Sequence, residues 1–369
     1  MFGSQRSTIA VDAGPASVAI CQLARRRAAL RVHCCAVAED PLRARPAAEA
    51  AVELAAERAG RMIRQSPFEG RRVSLMLQPP DVGFHALQVP AALRAAPRAQ
   101  WETSLRFEAA RHMQAEPDEL EVDAWDLPAT GRAGESVMLV MTRRSVVERW
   151  AAAFESLDLE LRCIDALPAV LVRAGFSSGV PGDTGEAPLE RLLWGVLDVG
   201  FSRATLTLAL GSVCVFVRTL NTGGDALTEA IAAALHVDYR TAESLKRQLS
   251  QAPQPADSRT PDAASDGTDV RALLQHVLHA SYRALAHDVE RACTYVLENY
   301  PAAVASGLYL CGGGARLAGL PEALHESLGV PVQLLNPCER VHDRRARPQH
   351  DGSYAVLAAC MGLAMGDLA

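Results

Sequence analysis

Three times in this chain an apolar run stops abruptly at glycine: IAVDAG at residues 9–14, VLDVG at 196–200 and LYLCGGGA at 308–315. In the first two, an aspartate stands two residues before the glycine. A short apolar run bounded by glycine reads as a buried strand that delivers its end to a tight turn. Such a turn lets backbone N–H groups come close to an anion. A chain that builds this junction near both of its ends carries either one unit twice or one cleft fed from two sides.

The flanking sequence favours duplication. TIAVDAG, SVAICQL and LRVHCCAVA read as a three-stranded opening meander, followed by a helix over 47–64 with Val52, Ala55, Ala59 and Ile63 on one face, and then by the strand RVSLMLQ. From Trp194 the pattern returns: GVLDVG, RATLTLAL and VCVFVRTL form a second meander, and NTGGDALTEAI enters a helix. With 369 residues, 49% of them hydrophobic, the chain exceeds what one compact core usually holds, so two α/β lobes with a cleft between them are expected.

Residues 81–158 read as a small inserted α/β subdomain. It contains the strand HALQVP, a helix from Arg98 to Ala115, the strand SVMLVMT, and a helix from Ser145 to Leu157 opened by a capping box of Ser145 and Glu148. Residues 251–268, QAPQPADSRTPDAASDGT, have no apolar period and read as a disordered loop. Beyond it, Val270, Leu274, Val277, Ser281, Leu285, Asp288, Ala292 and Val296 trace one face of a long helix. GLYLCGGGARLAGLPEALHESLG then gives strand, glycine turn and helix, with Pro321 and Gly329 as start and stop signals.

Several function classes are disfavoured. The formal net charge of -6 and the scattered arginines leave no basic footprint for nucleic acid. Nine cysteines, odd in number and without a CxxC, read as reduced core residues of a cytosolic protein, and adjacent Cys34 and Cys35 face opposite sides of their strand. No stretch reaches the roughly 20 apolar residues of a membrane span, so attachment to a membrane is expected through a partner. His276, His279 and His287 share a helix without a completing Cys or carboxylate, and Asp343, Arg344, Arg345 and Arg347 read as solvated charge.

An aspartate at a strand end can hold Mg2+ through its water shell, and two such hairpins facing each other can grip a triphosphate. Each D-x-G alone is also what any tight turn shows. Order along the chain carries more: DAG, DVG, TGGD, AESLKR at 242–247 and CGGGARLAGLP at 311–321 follow the order of the phosphate loops, connecting turn and adenosine loop of the actin, Hsp70 and sugar-kinase superfamily. More closely, LDVGFSRATLTL, RTLNTGGDALTEAIAAAL, AESLKRQ, LYLCGGGARLAGLPEALHESLGVPVQLLNP and WETSLRFEAARHM resemble the PilM family, actin-like cytoplasmic proteins of type IV pilus assembly, from about Ile9 to Leu363.

The resemblance implies an actin-like, ribonuclease H-like duplicated fold. Its first lobe would be 1–80 with 159–190, its inserted subdomain 81–158, its second lobe 191–227 with 301–369, and its helical adenine-side subdomain 228–300. It implies ATP and Mg2+ as ligands. Asp12 and Gly14 would belong to the first phosphate hairpin, and Asp198, Gly200 and Ser202 to the second, with both aspartates holding Mg2+ through water. Gly223 and Gly224 would form the connecting turn, Gly312, Gly313 and Gly314 would lie under the adenosine, and Glu243, Lys246 and Arg247 would line the ribose and adenine side. The implied partner is the N-terminal cytoplasmic tail of a PilN-like bitopic inner-membrane protein, docked beside the inserted subdomain with Trp101, Leu105 and Phe107 as contributors. The chain would sit at the inner membrane through that partner and link it to the pilus motor. Self-association stays open.

The first hairpin departs from the family pattern of serines followed by a lysine, since it reads Pro15, Ala16, Ser17, Val18, Ala19. Proline has no N–H to offer a phosphate, and Ala19 removes a cation. Arg203 in the second hairpin is a candidate replacement. No residue stands out as a base for water, which implies weak hydrolysis at most. Three alternatives stay open: a small-metabolite kinase of the same superfamily, a pilus or type II secretion scaffold that has lost its nucleotide, and an FtsA-like division protein. The last ends in a basic amphipathic helix, whereas this sequence ends in MGLAMGDLA.

Overall fold

The structure, a computed structural model, describes residues 5–26, 29–39, 48–130, 135–251, 267–338 and 354–368. The chain opens with β1 (Gln5–Arg6), β2 (Ile9–Ala13), β3 (Ser17–Arg26), β4 (Ala29–Glu39), α1 (Ala48–Gln65) and β5 (Arg72–Leu77). An insertion follows: β6 (Val82–Val89), α2 (Ala91–Arg94), α3 (Arg98–Met113), β7 (Leu120–Asp126) and β8 (Glu135–Arg143). The first lobe then resumes with α4 (Arg144–Glu155), β9 (Glu160–Ala166) and α5 (Leu167–Ser178). The second lobe comprises β10 (Leu192–Val199), β11 (Ala204–Leu210), β12 (Val213–Leu220), α6 (Gly224–Leu235), α7 (Tyr239–Gln251), α8 (Gly267–Asn299), β13 (Val304–Cys311), α9 (Leu320–Leu328), β14 (Val332–Leu334) and α10 (Tyr354–Gly366).

The two large sheets have one topology. In the first, β4, β3, β2, β5 and β9 lie side by side, with β1 continuing the β2 edge of β3; in the second the order is β12, β11, β10, β13, β14. In each, the first three strands are antiparallel and the last two run parallel to the first. Parallel neighbours need a crossover, which α4 supplies between β5 and β9 and α9 between β13 and β14. Duplication, expected from the repeated junctions, is therefore visible strand by strand.

Between the sheets lie α5 and α10. Nearly every position of α10 from Ala355 to Met365 is buried, as a helix apolar all round requires. The two helices approach so closely that a Cβ on Gly362 would stand 2.3 Å from the Val170 carbonyl oxygen. Together with Cys21, Trp194 and Tyr309 from the sheets they form a core that joins the lobes.

The inserted sheet, ordered β6, β8, β7, has its own small core of Leu105, Ala109, Leu120, Leu139 and Met141 beneath α3. Strand β7 was not foreseen in the sequence, although Leu120, Val122 and Ala124 alternate toward α3. Helix α4, read there as the last element of the inserted block, buries Trp150, Ala153 and Phe154 in the first-lobe core with Val73 and Leu75. Its expected capping box is absent: β8 pairs up to Arg143, the N-cap, so Ser145 already lies inside the helix. Helix α8 buries Leu274, Leu278, Tyr282, Leu285, Val289, Ala292 and Val296, a stripe rotated by one position from the expected one at Ser281 and Asp288. Asp288 instead accepts a hydrogen bond from Arg218 at 3.1 Å. Of the predicted disordered loop, residues 252–266 lie outside the described residues, as does the charged segment 343–347. Cys163 is exposed on β9 rather than in the core.

Candidate functional site

Because β2 and β10 hold equivalent places in their sheets, their C-terminal ends present the same turn. Asp12 and Gly14 are followed by Ser17, whose carbonyl accepts the Gly14 N–H at 2.9 Å; Asp198 and Gly200 are followed by Arg203, whose carbonyl accepts the Gly200 N–H at 3.0 Å. The aspartates end up half-buried and near enough to repel one another. Burial first, and the Asp198 charge second, raise the Asp12 carboxyl to about 7, against a hydrogen bond from Gln78 Nε2 to Asp12 Oδ1 of 2.7 Å. Burial raises Asp198 to about 6, while the Cys311 thiol, 3.7 Å from Asp198 Oδ1, pulls it back. Both supporting groups come from the neighbouring parallel strand or its end, and neither brings positive charge.

The third glycine junction packs against the second hairpin. Gly312 has φ +82°, and a Cβ there would stand 2.3 Å from Asp198 Oδ1; at Gly314 it would stand 2.5 Å from Val199 Cγ1. Gly314 N–H donates to the Val199 carbonyl at 2.8 Å. Gly313, by contrast, is exposed, with nothing within 4 Å of its would-be Cβ. The loop is thus fixed at both shoulders and open at its centre.

Gly223 and Gly224 press on the same hairpin from the other side. A Cβ on Gly223 would lie 2.5 Å from the Arg203 nitrogen, and Gly224 N–H donates to the Gly200 carbonyl at 2.9 Å. Behind this turn, Lys246 Nζ donates to Gly224 O (2.7 Å), Thr228 Oγ1 (2.6 Å) and Glu243 Oε2 (2.6 Å). Lys246 and Glu243, expected along the ribose and adenine side, are buried and engaged with one another; they hold the start of α6 onto the hairpin. Arg247 is more exposed, bonds Glu243 Oε1 at 2.9 Å, and reaches Glu39 of the first lobe at 3.4 Å. Ser202 sits half-buried on the hairpin and Arg203 is exposed.

On the inserted subdomain, Leu105 is 4% exposed and belongs to the core under α3, so its side chain holds the helix on the sheet and offers no docking surface. Phe107 is 59% exposed, and Trp101 is half-buried with the Arg94 guanidinium 5.1 Å from its ring centre. No helix among the described residues is long and apolar enough to cross a membrane.

The sequence model of the family described as "Type IV pilus assembly protein PilM" matches residues 10–260, well over half of the chain. The chain belongs to the PilM family. A second sequence model, "Cell division protein FtsA", matches residues 195–359. Among solved structures, the chain is similar to the "PilM-PilN type IV pilus biogenesis complex", with TM-score 0.75 and 21% identity over 98% of this chain and 99% of that one. It is also similar to ethanolamine utilization protein EutJ from Carboxydothermus hydrogenoformans, with TM-score 0.53 and 14% identity over 98% and 89% of the two chains. A further match is MreB 5 of Spiroplasma citri bound to AMPPNP, with TM-score 0.50 and 11% identity over 99% and 96%. The actin-like fold expected from the order of the glycine junctions is thereby shown, and type IV pilus assembly is the process to which this PilM-family chain belongs.

The residues present suit a magnesium nucleotide. Two half-buried carboxylates close enough to repel one another form a donor pair that a divalent ion would neutralise, and Gly313 leaves room above the loop that carries it. The sequence motifs single out both aspartates but not Gln78 and Cys311, whose contacts to them depend on strand pairing across long separations. Gln78, the polar residue closing the apolar run RVSLMLQ, was the available signal.

Proposed function

We propose that this chain is an ATP-binding scaffold of type IV pilus assembly that docks the N-terminal cytoplasmic tail of a PilN-like inner-membrane protein, is held at the inner membrane by it, and links it to the pilus motor. The observation that carries this reading is the pair of neighbouring, half-buried carboxylates, Asp12 and Asp198, at the ends of duplicated strands in a PilM-family chain. Asp12 and Asp198 would hold Mg2+ through its water shell. The backbones at Gly14, Gly200 and Ser202 would hold the phosphates, and Gly312, Gly313 and Gly314 the adenosine. Glu243 and Lys246 act one step back, by positioning the Gly223–Gly224 turn. The Mg2+ that accompanies ATP, when bound, would supply the charge complement of the two carboxylates, and the chain uses the nucleotide as a conformational ligand rather than as fuel. The exposed side of the inserted subdomain, with Phe107 and Trp101, is the docking surface.

The test is a fluorescence-anisotropy titration of a labelled tail peptide of a PilN-like protein onto the purified chain, with and without Mg-ATP, beside Asp198→Asn. Binding whose affinity Mg-ATP changes in the parent but not in the variant supports the reading. An affinity indifferent to Mg-ATP in both leaves a scaffold without a nucleotide switch, and absence of binding refutes the docking role.

A further inference from the structure

Away from the cleft, the inserted subdomain touches the second lobe. Trp125, on β7, donates its indole Nε1–H to the backbone oxygen of Cys214 on β12, 2.8 Å away. Two residues on, Leu127 packs against the second-lobe core that includes Leu210 and Val215. This segment is part of the inserted sheet's own frame, since Leu127 N–H donates to the Ser136 carbonyl at 2.8 Å. The other edge of the same face is braced by Phe84, whose ring lies 6.5 Å from that of Trp125. Covalently, the subdomain hangs from the first lobe by both of its ends. It is therefore a strut, rooted in one lobe and resting on the other.

The landing point is remote from the cleft. Cys214 pairs with Ala209, and Ala209 with Trp194, whereas Asp198 pairs with Thr205 at the opposite end of the same strands. At the cleft end the lobes are tied instead by Arg247 and Glu39, and Glu39 lies opposite Ser17 of the first hairpin. The helices α5 and α10 separate the two sheets. A rotation of one lobe on the other about these helices must carry the inserted sheet with it or break the Trp125 contact.

We propose that the Trp125–Cys214 contact, with Leu127 beside it, is a clasp through which the state of the cleft sets the orientation of the inserted sheet. By linkage, a partner held on that sheet biases the cleft through the same clasp. The ligands invoked rest on the function proposed above; the clasp itself does not. One directional hydrogen bond and one seated leucine make a contact small enough to release and specific enough to reform.

Amide hydrogen exchange on the full chain tests this. Trp125→Phe removes the N–H and trims the ring to a phenyl, and Trp125→Phe with Leu127→Ser removes the seat as well; neither touches a cleft residue. Without ligand, Trp125→Phe is expected to speed exchange in 120–127 and 209–216 by roughly five-fold, the factor one ordinary hydrogen bond is worth, while α1 and α9 keep their rates. Unchanged exchange in both segments in both variants overturns the clasp. With Mg-ATP, segment 120–127 is expected to respond in the parent, and in the double variant the hairpins 12–17 and 199–203 should still respond while 120–127 does not. An equal response of 120–127 in the double variant overturns the relay. Should the parent's hairpins 12–17 and 199–203 ignore Mg-ATP, the nucleotide reading fails, and the ligand-free comparison alone decides the clasp.

Discussion

Lys246 Nζ lies 2.6 Å from Glu243 Oε2, one turn back along α7, and the two side chains are 8% and 6% exposed. Its other hydrogen bonds go to Gly224 and Thr228, so this ion pair works as a bolt behind the glycine turn. Removing Lys246 leaves the buried Glu243 with the more exposed Arg247 as its cationic partner and takes a charged donor from the Gly224 carbonyl. Lys246→Met is therefore expected to cost roughly 3–5 kcal/mol. Arg247, the next residue but 45% exposed, is expected to cost less than about 1 kcal/mol on replacement by alanine. Urea denaturation of both variants checks the contrast, and equal losses would contradict it.

The facing aspartates predict a pH dependence with a definite sign. Asp12 titrates at about 7 and Asp198 at about 6 in the folded chain, against 3.8 for an unperturbed aspartate. The folded protein therefore binds protons that the unfolded chain has already lost. The stability this contributes is full below about pH 4 and disappears as pH rises through 6 to 7. Magnesium binding needs the deprotonated carboxylates, so affinity for Mg-ATP should rise over the same window. Asp12→Asn should stabilise the ligand-free chain at about pH 8 by up to about 4 kcal/mol and flatten its stability profile, as thermal unfolding across that range would show.

The glycine loop predicts a graded response to a single methyl group. Gly314→Ala drives a Cβ into Val199 and Gly312→Ala forces a positive φ against Asp198, so each should lose about 1–3 kcal/mol and disturb the second hairpin. Gly313→Ala meets open space and should leave the melting temperature within about the effect of a surface substitution, on the order of 0.5 kcal/mol. A destabilised Gly313→Ala would show that the loop is not open at its centre.

What could be read from residues alone followed the range of the interaction. Asp12, Asp198 and the three glycine junctions are local signals, and so are most of the strands of the two meanders. The buried engagement of Glu243 and Lys246 was hidden because an i,i+3 or i,i+4 charge pattern looks the same on a solvated face and behind a turn. Gln78 with Asp12, Cys311 with Asp198 and Trp125 with Cys214 join distant parts of the chain, and only the sheet order brings them together. The membership of α4 was misread because sequence proximity to β8 says nothing of its crossover role between β5 and β9.

On the inserted subdomain, two neighbours should separate fold from docking. Leu105→Ala hollows the small core and should cost about 2–4 kcal/mol, lowering the subdomain's melting temperature. Phe107→Ser removes an exposed ring and should leave stability within about 0.5 kcal/mol while weakening the tail peptide in the anisotropy titration. A Phe107→Ser variant that binds the tail like the parent would move the docking surface elsewhere.

The account stands most directly on the cleft, and isothermal titration calorimetry of Mg-ATP into the parent chain and Asp198→Ala tests it. The account predicts saturable, Mg2+-dependent binding in the parent, in the micromolar range, that is lost in the variant. No heat of binding in the parent, or equal binding in the variant, would contradict it and leave Pro15 and Ala19 as marks of a PilM-family scaffold that docks its partner without a nucleotide.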